Sequence, residues 1–362
     1  MNSTLQSPER RTELRPDLLE TFAGKVICEM GAAATGALVV LGDRLGIYSA
    51  LAKSGPVSPA QLAVLTALDE RYLREWLSAQ AAAGYVDYDP ANERFSMNPE
   101  QIAVFADPHS PAAMCGGFFG ISSMYNDEPM IAEAFKSGKG VAWGDHHNCL
   151  FCGVDRFFRP GYEANLVSSW LPALDGVEAK LRAGATVADI GCGHGASTVL
   201  MAKAFPKSKF IGFDLHPASI ECARHHAAEE GVMNVEFQVA TAKNFPGKDY
   251  DLVTIFDALH DMGDPVGAAV HIRQTLAADG TWMIVEPMAG DSLAENLNPV
   301  GRLYYSFSTM VCTPGSRSQE VGLALGAQAG EKRLRAVVEE GGFTRFRRAT
   351  ETPVNLVLEA RP

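Results

Sequence analysis

The chain has 362 residues, 47% hydrophobic and 20% charged, a balance suited to a globular protein with a full core. Its net charge of −12 disfavours polyanionic partners, so neither nucleic acid nor an anionic membrane surface is expected. Seven scattered cysteines read as free thiols in a reducing cytoplasm, and two domains are the default for this length.

Met1–Arg15 is polar and of mixed charge, without the apolar stretch of a signal peptide. No run of about 18 consecutive apolar residues follows, so no membrane span is expected. Residues 17–105 form the first expected domain. Gly36–Leu51 is a long apolar stretch, and after the turn at Ser54-Gly55-Pro56, Ser58 reads as a helix N-cap with Pro59 at the first helical position. A second helix is expected over Asp69–Ala83, with Tyr72, Leu73, Trp76 and Leu77 on one face and Gly84 as its stop. Tyr85–Tyr88 and Arg94–Met97 flank Asp89-Pro90-Ala91-Asn92 as a hairpin. Helix, turn, helix and hairpin make a winged helix. Residues 17–107 carry 12 Asp/Glu against six Lys/Arg, a local net of −6, whereas a DNA reader needs a basic stripe. The run Gly31–Leu41 has little polar face, which suits burial between subunits.

Residues 106–180 read as a helical connector rich in aromatics and methionine, including Met124, Trp143, Phe151, Phe158 and Tyr162. Such residues either line a pocket at a domain junction or glue two domains together, and one face can do both. His146-His147-Asn148-Cys149-Leu150-Phe151-Cys152 offers imidazoles and thiols. Structural zinc sites draw four ligands from two separated pairs, and adjacent histidines in extended backbone point apart, so no metal is expected. The stretch reads as a loop histidine pair followed by a core-packed Cys-Leu-Phe-Cys, with a substrate-facing histidine left open.

Residues 181–362 carry the main signal. Val187–Ile190 reads as a buried strand end holding Asp189, followed by Gly191, Gly193 and Gly195 and a helix over Ala196–Phe205. A glycine-rich strand-to-helix turn lets a ligand's polar atoms approach the backbone, and its G-x-G-x-G spacing departs from the dinucleotide fingerprint. A second strand, Lys209–Phe213, ends in Asp214, 25 residues after Asp189, where an acid can accept both hydroxyls of a ribose. Pro217 opens a helix to about Glu230, and a third strand, Val235–Ala240, ends at Thr241-Ala242. The fourth, Asp251–Phe256, leads into Asp257-Ala258-Leu259-His260-Asp261-Met262, and the fifth, Thr281–Val285, ends at Glu286-Pro287. Ligands of such sheets bind beyond the carboxyl ends of the strands, where these polar residues cluster. Phe343–Ala349 and Pro353–Ala360 are too close in sequence for a parallel crossover and must form an antiparallel hairpin.

The glycine turn, Asp214 and the reversed last strand resemble class I S-adenosylmethionine (SAM) methyltransferases over residues 184–362. The expected fold is α/β: a Rossmann-like seven-stranded sheet with an antiparallel last strand, plus an N-terminal, mainly helical winged-helix domain. The whole arrangement is similar to plant and bacterial small-molecule O-methyltransferases, whose N-terminal domain dimerises, so a homodimer is expected. The resemblance implies SAM as cofactor, S-adenosylhomocysteine as product, and contacts from Asp189, Gly191, Gly193, Gly195, Asp214, Leu215, Thr241, Ala242 and Asp257. The acid that often sits beside the adenine in this family is absent at Thr241-Ala242. Leu259-His260-Asp261-Met262-Gly263-Asp264 resembles the family's His-Asp-Trp-Ser-Asp segment, which implies that His260 is the catalytic base, with Met262 in place of tryptophan. Glu286, 26 residues later, matches the glutamate that flanks that histidine. A second flanking glutamate would fall near Gln328, with Glu331 three residues on, so the third member stays open. An aromatic helix before the first strand, matched by Phe158 and Tyr162, covers the cofactor and lines the acceptor pocket. Met124 joins that wall, and Asn298–Cys312 would close the acceptor side, with Tyr305 against a flat ring. The implied reaction is methyl transfer to a small, aromatic or polyketide-like hydroxylated metabolite in the cytoplasm. Two other readings are an N- or C-methyltransferase in which His260 only positions the acceptor, and a SAM-sensing winged-helix regulator, against which the acidic N-terminal half speaks.

Overall fold

The computed structural model describes residues Leu14–Pro362, so the polar character of Met1–Arg15 falls almost wholly outside the described residues. The chain divides into two compact units, the first ending at Ile102 and the second beginning at Ala103. The expected connector, residues 106–180, therefore belongs to the second unit.

In the first unit, α1 (Pro16–Arg44) starts with proline at its first turn, carries Asp17 there and ends on Arg44, charges that complement the helix dipole. Gly46, at φ +68°, turns the chain into α2 (Ile47–Ser54). Ser58 caps α3 (Pro59–Thr66) in a capping box with Gln61, and Asp69 caps α4 (Glu70–Ala82). β1 (Asp87–Asp89) and β2 (Arg94–Ser96) pair antiparallel, completing the winged helix. Tyr72 departs from expectation: it is 81% exposed, while Leu73, Trp76, Leu77 and Gln80 face inward. Gln80 belongs to the inner stripe because Tyr48 donates its hydroxyl to the Gln80 Oε1 at 2.7 Å. On α1 itself only Gly36, Val39, Val40 and Gly42 are buried, and Leu18, Phe22, Ile27 and Met30 stand exposed. Although no 18 consecutive residues are all apolar, α1 is long and apolar enough to cross a membrane, judged by length and composition. α5 (Pro99–Phe105) follows the wing.

The second unit opens with α6 (Cys115–Ser137) and α7 (Cys149–Asn165). They pack backbone against backbone: a Cβ at Gly153 would lie 2.5 Å from the Gly120 nitrogen. After α8 (Val177–Ala183), β3 (Thr186–Ile190), α9 (Ala196–Ala204), β4 (Lys209–Asp214), α10 (Pro217–Glu229) and β5 (Val235–Val239) alternate. β6 (Tyr250–Phe256), α11 (Pro265–Thr275), β7 (Leu276–Pro287), α12 (Pro299–Phe307), α13 (Thr313–Arg317) and α14 (Gly330–Glu340) follow. The hairpin β8 (Arg345–Glu351) and β9 (Asn355–Arg361) closes the sheet.

The seven strands are ordered β5-β4-β3-β6-β7-β9-β8, with β3 to β7 parallel and β9 antiparallel to both β7 and β8. Successive residues of the central strands alternate between two apolar layers. Ala188, Ile255 and Ile284 pack on one face, and Val187, Leu252 and Val285 on the other. Topology reverses at β3/β6, which fixes where the carboxyl ends of the strands open a crevice.

Ile284 is fully buried in mid-sheet, paired with Ile255 and Leu358. Ile284→Ala is expected to cost about 2–5 kcal/mol, read as a lower denaturant midpoint for the sheet unit, and Ile284→Val about 0.5–1.5 kcal/mol.

Candidate active site

A cavity of about 520 Å³ opens at the carboxyl ends of β3, β4 and β6. One wall is the turn Gly191–Gly193 with Asp214 and Leu215, and Thr241 to Lys243 extend it. Trp143, Phe151, Phe158 and Tyr162 supply an aromatic wall, and Asp257, Asp261 and Met262 a third. Of the expected ligand residues, Gly191, Gly193, Asp214, Leu215, Thr241, Ala242, Asp257, Tyr162 and Phe158 therefore line one space.

The glycine turn is built for close approach. Gly191 sits at φ +70°, and a Cβ there would lie 2.9 Å from the Ala258 Cβ. Gly193 N–H donates to Asp214 Oδ2 at 2.9 Å and His216 N–H donates to Oδ1 at 2.8 Å. Each carboxylate oxygen keeps a further acceptor site, enough for a vicinal diol. Burial pushes the Asp214 carboxyl above its usual range, against the pull of those two N–H groups.

Two expected contacts are corrected. Asp189 is fully buried behind the turn and does not line the cavity. Its Oδ2 accepts the hydroxyls of Ser197 and Thr198 at 2.7 and 2.6 Å, and its Oδ1 that of Thr254 at 2.8 Å. Burial raises this carboxyl to about 6, against the three hydroxyls. Gly195 also stays outside, because its backbone, at φ +77°, presses on Phe237, whose ring would lie 2.7 Å from a Cβ. Both residues shape the turn from behind.

Asp257 follows β6 in the left-handed region, at φ +49°, an uncommon conformation that gathers at functional sites. Its Oδ2 accepts the Tyr162 hydroxyl at 2.7 Å and its Oδ1 the Asn355 amide at 3.3 Å. Burial raises its carboxyl to about 7.

His260 is placed otherwise than expected. The tight turn Leu259–Asp261 swings it inward, 3% exposed, so that Asp261 lines the cavity and His260 lies behind. Its Nδ1 is 2.5 Å from Glu286 Oε2, whose other oxygen accepts Leu259 N–H at 2.9 Å. The expected pair His260–Glu286 is thus in contact, also out of the cavity. On the other side, His260 Nε2 lies 3.1 Å from Asp261 Oδ1. Burial alone would depress the imidazole, but the Asp261 and Glu286 carboxylates outweigh it and hold the ring well above its ordinary range. The Cys312 thiol, pushed up to about 12 by burial, closes the same corner. Glu331 instead pairs with Arg335 and Arg348 on α14 and β8, and the Gln328 amide donates to Met288 and Ala327 carbonyls. The third flank of the histidine is therefore Asp261.

Met124 and Tyr305 do not line the cavity. The inward row of α6 runs through Phe119, Gly120, Ser123 and Asp127, with Met124 just off it; on α12 Tyr304 points inward and Tyr305 sits a step around the helix. Sequence reasoning missed Lys243, whose Nζ joins Asp264 and Glu320 at the cavity wall, and the His216 ring stacked on Phe151 at 5.1 Å. Glu320 is 77 residues from Lys243, so no local pattern pairs them. His146 Nδ1 is taken by Asp127 at 2.9 Å, and Cys152 is exposed rather than core-packed because Leu150 holds the buried face at the start of α7.

Residues 181–342 match a family model described as a methyltransferase domain, and residues 33–106 match an Rv2258c-like winged HTH domain. An uncharacterized methyltransferase, YcgJ of Bacillus subtilis, is 33% identical over 129 residues, 34% of this chain and 50% of the relative. A 2-heptyl-1-hydroxyquinolin-4(1H)-one methyltransferase of Mycobacteroides abscessus is 35% identical over 102 residues, 27% of this chain and 44% of the relative. The chain thus spans about half the length of the curated relatives it matches. Among solved structures, human N-acetylserotonin methyltransferase in complex with SAM superposes with a TM-score of 0.69 at 18% identity, over 97% of this chain and 99% of that one. The mitomycin 7-O-methyltransferase MmcR gives 0.65 at 20% identity, over 96% and 100%. At such identities these likenesses establish the fold alone. The chain carries a methyltransferase domain behind a winged HTH domain.

Asp189→Ala removes a shared acceptor from three buried hydroxyls, at about 1–3 kcal/mol for each group left unpaired. Its thermal midpoint is expected to fall well below that of Asp214→Ala, which removes a carboxylate from the cavity wall.

Proposed function

We propose that this chain transfers the methyl group of SAM to a hydroxyl of a small, aromatic or polyketide-like metabolite, with His260 as the proton acceptor. The observation that carries the reading is the Glu286–His260–Asp261 string, which ends on the wall of a cavity that the glycine turn and Asp214 also line. Fold neighbours bound to SAM or S-adenosylhomocysteine favour the same donor.

Bound SAM supplies a methyl group already activated on a sulfonium sulfur. Asp214 would accept the ribose hydroxyls, the Gly191–Gly193 backbone would admit the chain, and Leu215, Thr241 and Ala242 would flank the base. Asp257 and Tyr162 would complete the pocket. The chain's remaining task is to align the acceptor oxygen and take its proton. Glu286 accepts from His260 Nδ1 and so leaves Nε2 as the basic atom. Asp261 would orient the acceptor hydroxyl beside it. A cationic donor in the same cavity would disfavour the imidazolium and favour the neutral, receptive ring. We further propose that the chain works in the cytoplasm as a homodimer through the exposed apolar face of α1, with its seven free thiols in keeping with that compartment.

Calorimetry with SAM and S-adenosylhomocysteine tests the donor: heat with neither overturns the reading. His260→Ala is expected to lower turnover about 10²–10⁴-fold with donor affinity retained. Near-full turnover would instead favour N- or C-methylation.

Donor affinity also depends on pH in a stated direction. Asp189 and Asp257, raised to about 6 and about 7, become neutral as pH falls through those values, and burial raises Asp214 in the same direction. SAM, a cation at sulfur, is expected to bind more weakly at pH 5.5 than at pH 8, and S-adenosylhomocysteine to weaken less. Equal losses for both ligands would exclude a role for these carboxylates.

A further inference from the structure

Three metal-ligating side chains meet at the cavity wall in a way that proton transfer does not require. His260 Nε2, Asp261 Oδ1 and Cys312 Sγ lie within 4.8 Å of one another, a grouping that no other residues make among the described ones. Nε2 and Oδ1 are only 3.1 Å apart, yet Oδ1 is buried and has no aligned hydrogen-bond partner. In a tetrahedral site with bonds of about 2.0–2.3 Å, neighbouring ligand atoms lie about 3.3–3.5 Å apart, so the thiol needs a small approach.

The surroundings match a cation as well. Glu286 accepts from the opposite ring nitrogen, one of the arrangements that orient a metal-bound imidazole. Cys312 closes a π-helical turn, Ser308–Cys312, a rare distortion that marks functional sites. Asp261 faces the cavity and so offers an entry path.

We propose that His260, Asp261 and Cys312 form a three-ligand site for a thiophilic divalent cation of the zinc type, distinct from anything methyl transfer needs. Thiolate, imidazole and carboxylate together select zinc-like ions over magnesium or calcium. Coordination supplies the positive charge that lets a buried thiol give up its proton. Because the cation takes Nε2, it excludes His260 from proton transfer; this inhibitory consequence rests on the function proposed above, whereas binding does not.

Titration of the metal-free full chain with Co2+ tests the site. We expect saturation at one equivalent, with a thiolate-to-cobalt charge-transfer band and tetrahedral ligand-field bands. Cys312→Ser should abolish the charge-transfer band, and a Cys149→Ser/Cys152→Ser variant should keep it. Asp261→Asn should weaken Co2+ binding at least tenfold, which keeps the test decisive if Cys312→Ser does not fold. Absence of a charge-transfer band at saturation, or its survival in Cys312→Ser, overturns the proposal. Zn2+ should also slow methyl transfer by the wild type and spare Cys312→Ser relative to that variant's own zinc-free rate. A cobalt spectrum without methyl transfer would keep the site and remove the proposed function; zinc-insensitive methyl transfer with no cobalt band would do the reverse.

Discussion

One buried hydrogen bond organises the chemistry of this fold: the contact between His260 and Glu286 at 2.5 Å. It ties the turn after β6 to the end of β7, and the second Glu286 oxygen fixes the same turn through Leu259 N–H. An isolated buried carboxylate is costly, so Glu286 is tolerable where it is because both oxygens are engaged. Once Nδ1 is committed, the ring has a single orientation, and Asp261 must take the cavity-facing position beside it. Removing Glu286 would leave the imidazole, the turn and the Asp261 carboxylate without a common reference.

A similar device holds the glycine turn. Asp189 collects three hydroxyls from α9 and β6 and thereby locks the glycine turn from behind. Rigid support of this kind lets the turn present bare backbone to a ligand without collapsing into the cavity. Gln319 plays the corresponding part for the histidine turn: its amide donates to the Asp261 carbonyl, and its oxygen accepts from Gly263. The glycine turn is thus set from outside the cavity, and the histidine turn by a residue that itself lines it.

The strands and the reversed last strand were legible because strand ends, glycines and helix starts are local signals. The winged helix was equally plain, from the Ser58 and Asp69 caps and the turn at Asp89-Pro90. Side-chain direction was not. Asp189, Gly195 and His260 lie within a residue or two of the cavity and still face away, because one residue along a strand or turn reverses direction. Met124 and Tyr305 failed for the helical version of that reason, each a step from the inward row. Contacts between distant segments, such as Lys243 with Glu320 or His260 with Cys312, leave no trace in any window of sequence.

The cavity's charge carries a further consequence. Lys243, the lysine on its wall, is held by Asp264 and Glu320, so among the described residues Asp214 and Asp257 have no lysine or arginine partner, and Asp261 faces only the His260 ring. Such a pocket attracts a positively charged ligand and loses much of that attraction when the charge is consumed. A sulfonium that becomes a neutral thioether during the reaction would experience just this change. The same carboxylates that gather the donor would then have little hold on what remains of it, so the buried acids would aid entry and exit with one arrangement. Under the proposed function, that arrangement would link an unfavourable burial of negative charge, which lowers stability, to turnover, which would benefit from it.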